Sequence, residues 1–141
     1  MTSRGRRDAS AGVARGAGRA TVSPTVRDDD IGGWVPERGE VIWLEFDPQA
    51  GREQAGRRPA VVLSPASYNA PTSRALCVPV STKAKGYPFE VPLPEGFPVQ
   101  GVAFADQVKC LDWRARHARP VGALPPSVVA SLLARTRALL E

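Results

Sequence analysis

Residues 53–64 read EQAGRRPAVVLS, and their reading decides the fold. The apolar run Ala60 to Leu63 is too short for a helix and is closed by Ser64-Pro65. A run of that length between breakers predicts a short strand buried on both faces. Pro59 fixes the entry to the strand and biases Arg58 toward extended backbone. Two adjacent guanidinium groups, Arg57 and Arg58, therefore stand at the start of a buried strand. They are either an ordinary solvated loop end or charges fixed at the rim of a rigid sheet to meet an anion.

Working outward, residues 41–46 (VIWLEF) form a β-rich hexamer followed by the breaker cluster Asp47-Pro48-Gln49-Ala50-Gly51. The two strands are joined by about a dozen residues, and connections of that length in a small domain are usually functional. Residues 75–80 (ALCVPV) predict a third strand, with an edge or bulge at Pro79, which lacks an N–H. Phe89, Val91 and Leu93 alternate with Glu90 and Pro92, the period of a half-buried strand. Residues 101–105 and 107–111 continue the series. Only the C-terminus has helical spacing. Pro125 and Pro126 suit a first turn, and Val129, Leu132, Leu133, Thr136 and Leu140 recur on one face. Five to seven short strands and one closing helix describe a mainly β, strongly bent small barrel.

The chain has 141 residues, enough for one domain with a real core. Its formal net charge is +5. Six arginines and four aspartates lie in residues 1–34, so both this segment and the remainder are net positive. A basic fold favours a polyanion or an acidic protein as partner. Residues 1–33 hold no Leu, Phe, Tyr or Trp and cannot offset their ordering entropy, so residues 1–34 are expected to be a disordered basic extension. The fold is expected over 35–141. Cys77 and Cys110 lie in strand-like runs, without a C-x-x-C motif, and read as small core residues. No segment approaches the roughly 18 apolar residues of a membrane span, which predicts a cytoplasmic protein.

Three polar clusters are candidates for chemistry. The connection before Arg58 holds Arg52, Glu53, Gln54 and Arg57. After the third strand come Ser81, Thr82, Lys83, Lys85 and Tyr87, hydroxyls beside two lysines that suit an oxyanion or phosphate. If strands two and three are antiparallel neighbours, Arg58 and Ser81 share one end of the sheet. The third cluster is Trp113, Arg114, Arg116, His117 and Arg119. It reads either as an aromatic face with phosphate-binding charges or as a solvated basic turn with Trp113 in the core. His117 is the one histidine, so no pair of imidazoles can share acid and base roles. No phosphate-binding P-loop, zinc-protease or nucleophile-elbow motif is present.

The order of these residues goes further. The blocks GEVIW, EQAGRRPAVVLS, STKAKGYPFE and GVAFADQVKCLDWRAR resemble the MazF/PemK family of toxin endoribonucleases, from about Val35 to the C-terminus. The resemblance implies a homodimeric SH3-like barrel, related in fold to CcdB, that cuts single-stranded RNA at short sequences. It implies no metal and no cofactor, and a cognate antitoxin with an acidic disordered tail. The family's active-site arginine falls on Arg58, its loop carboxylate on Glu53 and its hydroxyl on Ser81. Where the best-known member has threonine this sequence has Ser81, and where that member has histidine it has Arg57, which removes a titratable neighbour. Arg52, Gln54, Arg57, Thr82, Lys83, Lys85, Tyr87, Gln107 and Arg114 are expected to contact RNA, with Tyr68 and Asn69 as further candidates for reading bases. A guanidinium, with a pKa above about 12, is a poor base, so Glu53 is the expected proton acceptor. Two rivals differ in class. A gyrase-poisoning toxin of the same fold would carry a C-terminal Trp-Gly-Ile, whereas this sequence ends Ala138-Leu139-Leu140-Glu141. A non-catalytic nucleic-acid-binding barrel would need no grouping of Glu53, Arg58 and Ser81.

Overall fold

The computed structural model describes residues 33–46 and 56–141. Its elements run β1 (Glu40–Phe46), β2 (Gly56–Val62), α1 (Ala66–Thr72), β3 (Arg74–Ser81), β4 (Glu90–Pro92), β5 (Val102–Phe104), β6 (Lys109–Asp112), β7 (Arg119–Ala123) and α2 (Pro126–Ala138). The strands form one curled antiparallel sheet, a half-barrel, in the order β4-β5-β3-β2-β1-β7, with β6 also pairing with β3. The expected mainly β fold with a C-terminal helix is borne out.

Alternation along β1 and β2 sends neighbouring side chains to opposite faces. Val41 and Val61 join Val78, Val80, Val91 and Leu132 in the larger core, covered by α2. Ile42, Leu44, Ala60 and Val62 join Ala75, Cys77 and Trp113 in a second core on the other face. Both faces of the central strands are thus buried, which is why 60–63 reads as an uninterrupted apolar run. Trp34 packs edge-on to Trp113 with ring centroids 5.9 Å apart, and so belongs to this second core. Glu40 at the head of β1 accepts the Glu37 N–H at 2.7 Å, and burial pushes its carboxyl up to about 7.

Several expectations need correction. Pro79 lies in an interior strand, not at an edge. β3 pairs with β6 over Arg74–Cys77 and with β5 at Val80 and Ser81, and Pro79 falls in the gap where the partner changes. A missing N–H is harmless there. Cys110 is exposed on β6, with its Sγ 3.8 Å from the Tyr68 hydroxyl, whereas Cys77 is buried as expected. Leu140 lies beyond the end of α2 and is 83% exposed, so the buried face of that helix rests on Val129, Leu132 and Leu133. The expectation for residues 1–34 lies almost wholly outside the described residues.

Asn69, a candidate for reading bases, is fully buried and has no access to solvent. Its Oδ1 accepts from Ser64 Oγ at 2.6 Å. Its Nδ2 donates to the carbonyls of Pro36 and Ser64 at 2.8 and 3.0 Å, and its own carbonyl accepts the Trp113 indole N–H at 3.0 Å. The side-chain amide therefore ties the chain entry to the residues after β2, and the Asn69 backbone carbonyl ties α1 to the second core. Asn69→Ala strands the Ser64 hydroxyl and the Pro36 and Ser64 carbonyls, while the backbone bond to Trp113 remains, and is expected to cost about 2–4 kcal/mol, read as a fall in the urea midpoint. An unchanged midpoint would contradict this account of α1.

Candidate active site

β2 and β3 are antiparallel, with Ala60 opposite Pro79 and Val62 opposite Cys77. The same register, continued two residues further, brings Arg58 across from Ser81. Strict alternation from Ala60 and Cys77 would turn both toward the second-core face of the sheet. Arg58 is exposed at this end and lines a cavity of about 350 Å3.

The cavity is an apolar trough with a polar rim. Pro59, Ala60, Cys77, Val78 and Pro79 form its floor, Phe46 and Leu111 are walls, and Arg58, Gln107 and Lys109 supply the polar groups. Burial pushes the Cys77 thiol up to about 12, so it is an inert floor group and no nucleophile. Among the described residues no carboxylate lines the trough, so none of them competes with an anion for its rim cations.

Ser81 closes β3 and pairs with Val102. Its Oγ accepts the Lys83 N–H at 3.0 Å, so the hydroxyl hydrogen is available to donate elsewhere. Gly101 adopts φ +126°, and a methyl built on it would overlap the Ser81 carbonyl. Close backbone approach at this glycine therefore fixes where Ser81 sits. Beyond Ser81, the segment carrying Thr82, Lys83, Lys85 and Tyr87 is exposed. The Glu90 carboxylate accepts the N–H groups of Lys85 and Gly86 at 2.8 and 3.0 Å and clamps that segment to β4. Its basic side chains can face an anion without holding the loop themselves.

The remaining candidates fall in different places. Arg57 lies across from Glu45 in the β1–β2 ladder, and its guanidinium stacks over Trp43 at 5.7 Å. Gln107 is on the cavity rim. Arg114 stacks over Trp113 at 4.3 Å and donates to the Ala70 carbonyl at 3.2 Å and to Ser73 Oγ. It is therefore engaged at the start of β3, the opposite end from Ser81. Trp113 is only 4% exposed, so the core reading of that residue holds. Glu53, Arg52 and Gln54 lie outside the described residues. Sequence reasoning missed Lys109 and Phe46 at the cavity and Glu90 as the clamp. The alternation of Gln107, Lys109 and Leu111 along one strand was the available signal for Lys109.

A curled β sheet with an arginine, a serine and basic side chains gathered at one end of its central strands has the parts of a small RNA-cutting barrel. A family model described as PemK-like, MazF-like toxin of type II toxin-antitoxin system matches residues 37–140. The sequence is 51% identical over 107 residues to the endoribonuclease toxin MazF of Escherichia coli K12, covering 76% of this chain and 96% of that protein. It is 33% identical over 108 residues to the endoribonuclease PemK of Escherichia coli, covering 74% and 81%. A MazE–MazF crystal structure (form II) from Deinococcus radiodurans matches with a TM-score of 0.72 and 50% identity, covering 76% of this chain and 96% of that one. The chain belongs to the PemK-like, MazF-like toxins of type II toxin–antitoxin systems and is an endoribonuclease of that family.

Proposed function

We propose that this endoribonuclease cuts single-stranded RNA at short sequences by attack of a 2′-OH on the adjacent phosphorus, without a metal or other cofactor. The observation that supports this reading is the antiparallel β2–β3 register, which continued past Ala60–Pro79 would set Arg58, on the trough, across from Ser81. In-line attack forms the bond from 2′-oxygen to phosphorus and breaks the bond from phosphorus to the 5′-oxygen. The catalyst must take the 2′ proton, hold the added negative charge and stabilise the leaving oxygen. Arg58 suits the charge, since a guanidinium presents a planar fork of donors and stays protonated. The Ser81 hydroxyl donates to the same phosphoryl oxygens. Glu53 is the acceptor of the 2′ proton, which then returns through water to the 5′-oxygen.

Thr82, Lys83, Lys85, Tyr87 and Gln107 hold the flanking nucleotides, and Arg52, Gln54 and Arg57 add contacts to the RNA. The functional unit is a homodimer in the cytoplasm. No helix among the described residues is long and apolar enough to cross a membrane. The cognate partner is an antitoxin whose acidic disordered tail folds onto the basic rim and competes with RNA. The MazE–MazF complex of Deinococcus radiodurans supports such a partner.

Incubating the purified protein with RNA in EDTA tests the reading. Cleavage is expected to persist and to leave 2′,3′-cyclic phosphate and 5′-OH ends, identified by mass spectrometry. A 3′-OH and 5′-phosphate product, or cleavage that stops with the chelator, would refute the mechanism. No cleavage at all would favour a binding barrel.

A further inference from the structure

The turn between β6 and β7 brings a further charged group against a residue that lines the trough. Arg116 lies in this turn, with its guanidinium 4.5 Å above the ring of Phe46, the residue that walls the cavity beside Arg58. We propose that Arg116 is a substrate-binding residue that holds an RNA phosphate next to the one at Arg58, and that Glu45 and His117 are its positioning residues. The inference rests on the reading of the trough as the RNA site.

The guanidinium is not needed to hold the turn. Backbone groups do that: Glu45 N–H donates to the Arg116 carbonyl at 2.9 Å, and Arg116 N–H donates to the Asp112 carbonyl at 3.1 Å. The Asp112 carboxylate also accepts the Ala115 N–H at 2.8 Å. Among the described residues the side chain makes one hydrogen bond, from Nη1 to the Glu45 carbonyl at 3.3 Å. A guanidinium carries five N–H donors in a fixed fork, so most of its donor edge remains for an anion. Stacking on Phe46 sets the plane of that fork and reduces the freedom lost when a phosphate binds.

His117 supplies the second observation. It adopts φ 51°, a left-handed conformation that only a few per cent of non-glycine residues take, although His is among those enriched there. Its Nδ1 lies 3.0 Å from Glu45 Oε1. Glu45 also faces Arg57 across the β1–β2 ladder. The strained turn is therefore stapled to the last residues of β1 by backbone on one side and by an imidazole–carboxylate contact on the other. Strain that the surroundings hold in place is a feature of ligand-facing segments. Here it aims residue 116 at the wall of the trough.

The test uses the full chain, a labelled oligoribonucleotide substrate and a copy with 2′-deoxyribose at the cleavage site. Arg116→Ala is expected to raise KM about 5–10-fold with kcat within about twofold, and to weaken binding of the uncleavable copy by a similar factor. The slope of log affinity against log salt should become less steep by about 0.7, the loss of one contact to a single strand. Arg116→Lys should restore the slope but only part of the affinity. His117→Gly relieves the positive φ but removes the staple; an unchanged thermal midpoint with a KM raised about threefold is expected. Unchanged affinity and slope in Arg116→Ala would overturn the proposal, and unchanged KM in His117→Gly would overturn the positioning role. Binding of the uncleavable copy reads Arg116 without turnover. Absence of cleavage by the parent chain would instead count against the proposed function.

Discussion

Replacing Arg58 by alanine is expected to lower kcat for RNA cleavage by about 10²–10³-fold or more, with little change in thermal midpoint. The kinetic loss follows from the role assigned to the fork, which is the group aimed at charge that builds only in the transition state. The small structural effect follows from exposure: Arg58 stands at the open end of β2, so truncation leaves no buried cavity. Arg58→Lys keeps the charge but loses the two-point geometry and should recover only part of the rate. Glu53→Gln supplies an independent arm, since loss of a proton acceptor costs about 10²–10⁴-fold. Initial rates on a short oligonucleotide, with circular dichroism to confirm folding, measure both. Full activity in Arg58→Ala would remove the basis of the mechanism, and full activity in Glu53→Gln would move the base to another group.

The second large effect comes from a residue that touches no substrate. Gly101→Ala is expected to destabilise the protein by about 2–4 kcal/mol. Two causes act together. The φ of +126° is a conformation that side chains rarely adopt, and the added methyl meets the backbone carbonyl of Ser81 rather than a movable side-chain tip. For a domain of this size the thermal midpoint should fall by roughly 10 °C. Cleavage at permissive temperature should fall too, because the strand end that relaxes is the one presenting Ser81. A midpoint within a degree of the parent would show that β3 and β5 can separate without cost.

The comparison of sequence with structure has a physical pattern. β1, β2 and β3 were legible because they are buried on both faces, and burial leaves uninterrupted apolar runs. β4 was legible through alternation, with Val91 inward and Glu90 turned to the loop it clamps. β7 was not, because RPVGA carries two breakers. Pro120 and Gly122 are tolerated since this strand ends the sheet and pairs with β1 alone. α1 was not legible either, for it has seven residues, contains Pro71 and buries Asn69 rather than an apolar stripe. That omission carried over to the site. Trp113 and Arg114 looked like a nucleic-acid pair only because the short helix that engages both was unseen. The β2–β3 pairing was legible because two apolar runs follow one another in sequence, whereas Phe46 and Lys109 needed the curl of the sheet to meet.

Synthesis order adds one consequence of the topology. β1 finds its second neighbour only in β7, which the ribosome makes about eighty residues later. Until Arg119–Ala123 has left the exit tunnel, the hairpin bearing Arg58 keeps one open flank. Such distant pairing also slows folding. The end of the sheet that carries Arg116 is therefore closed by a pairing of high sequence separation.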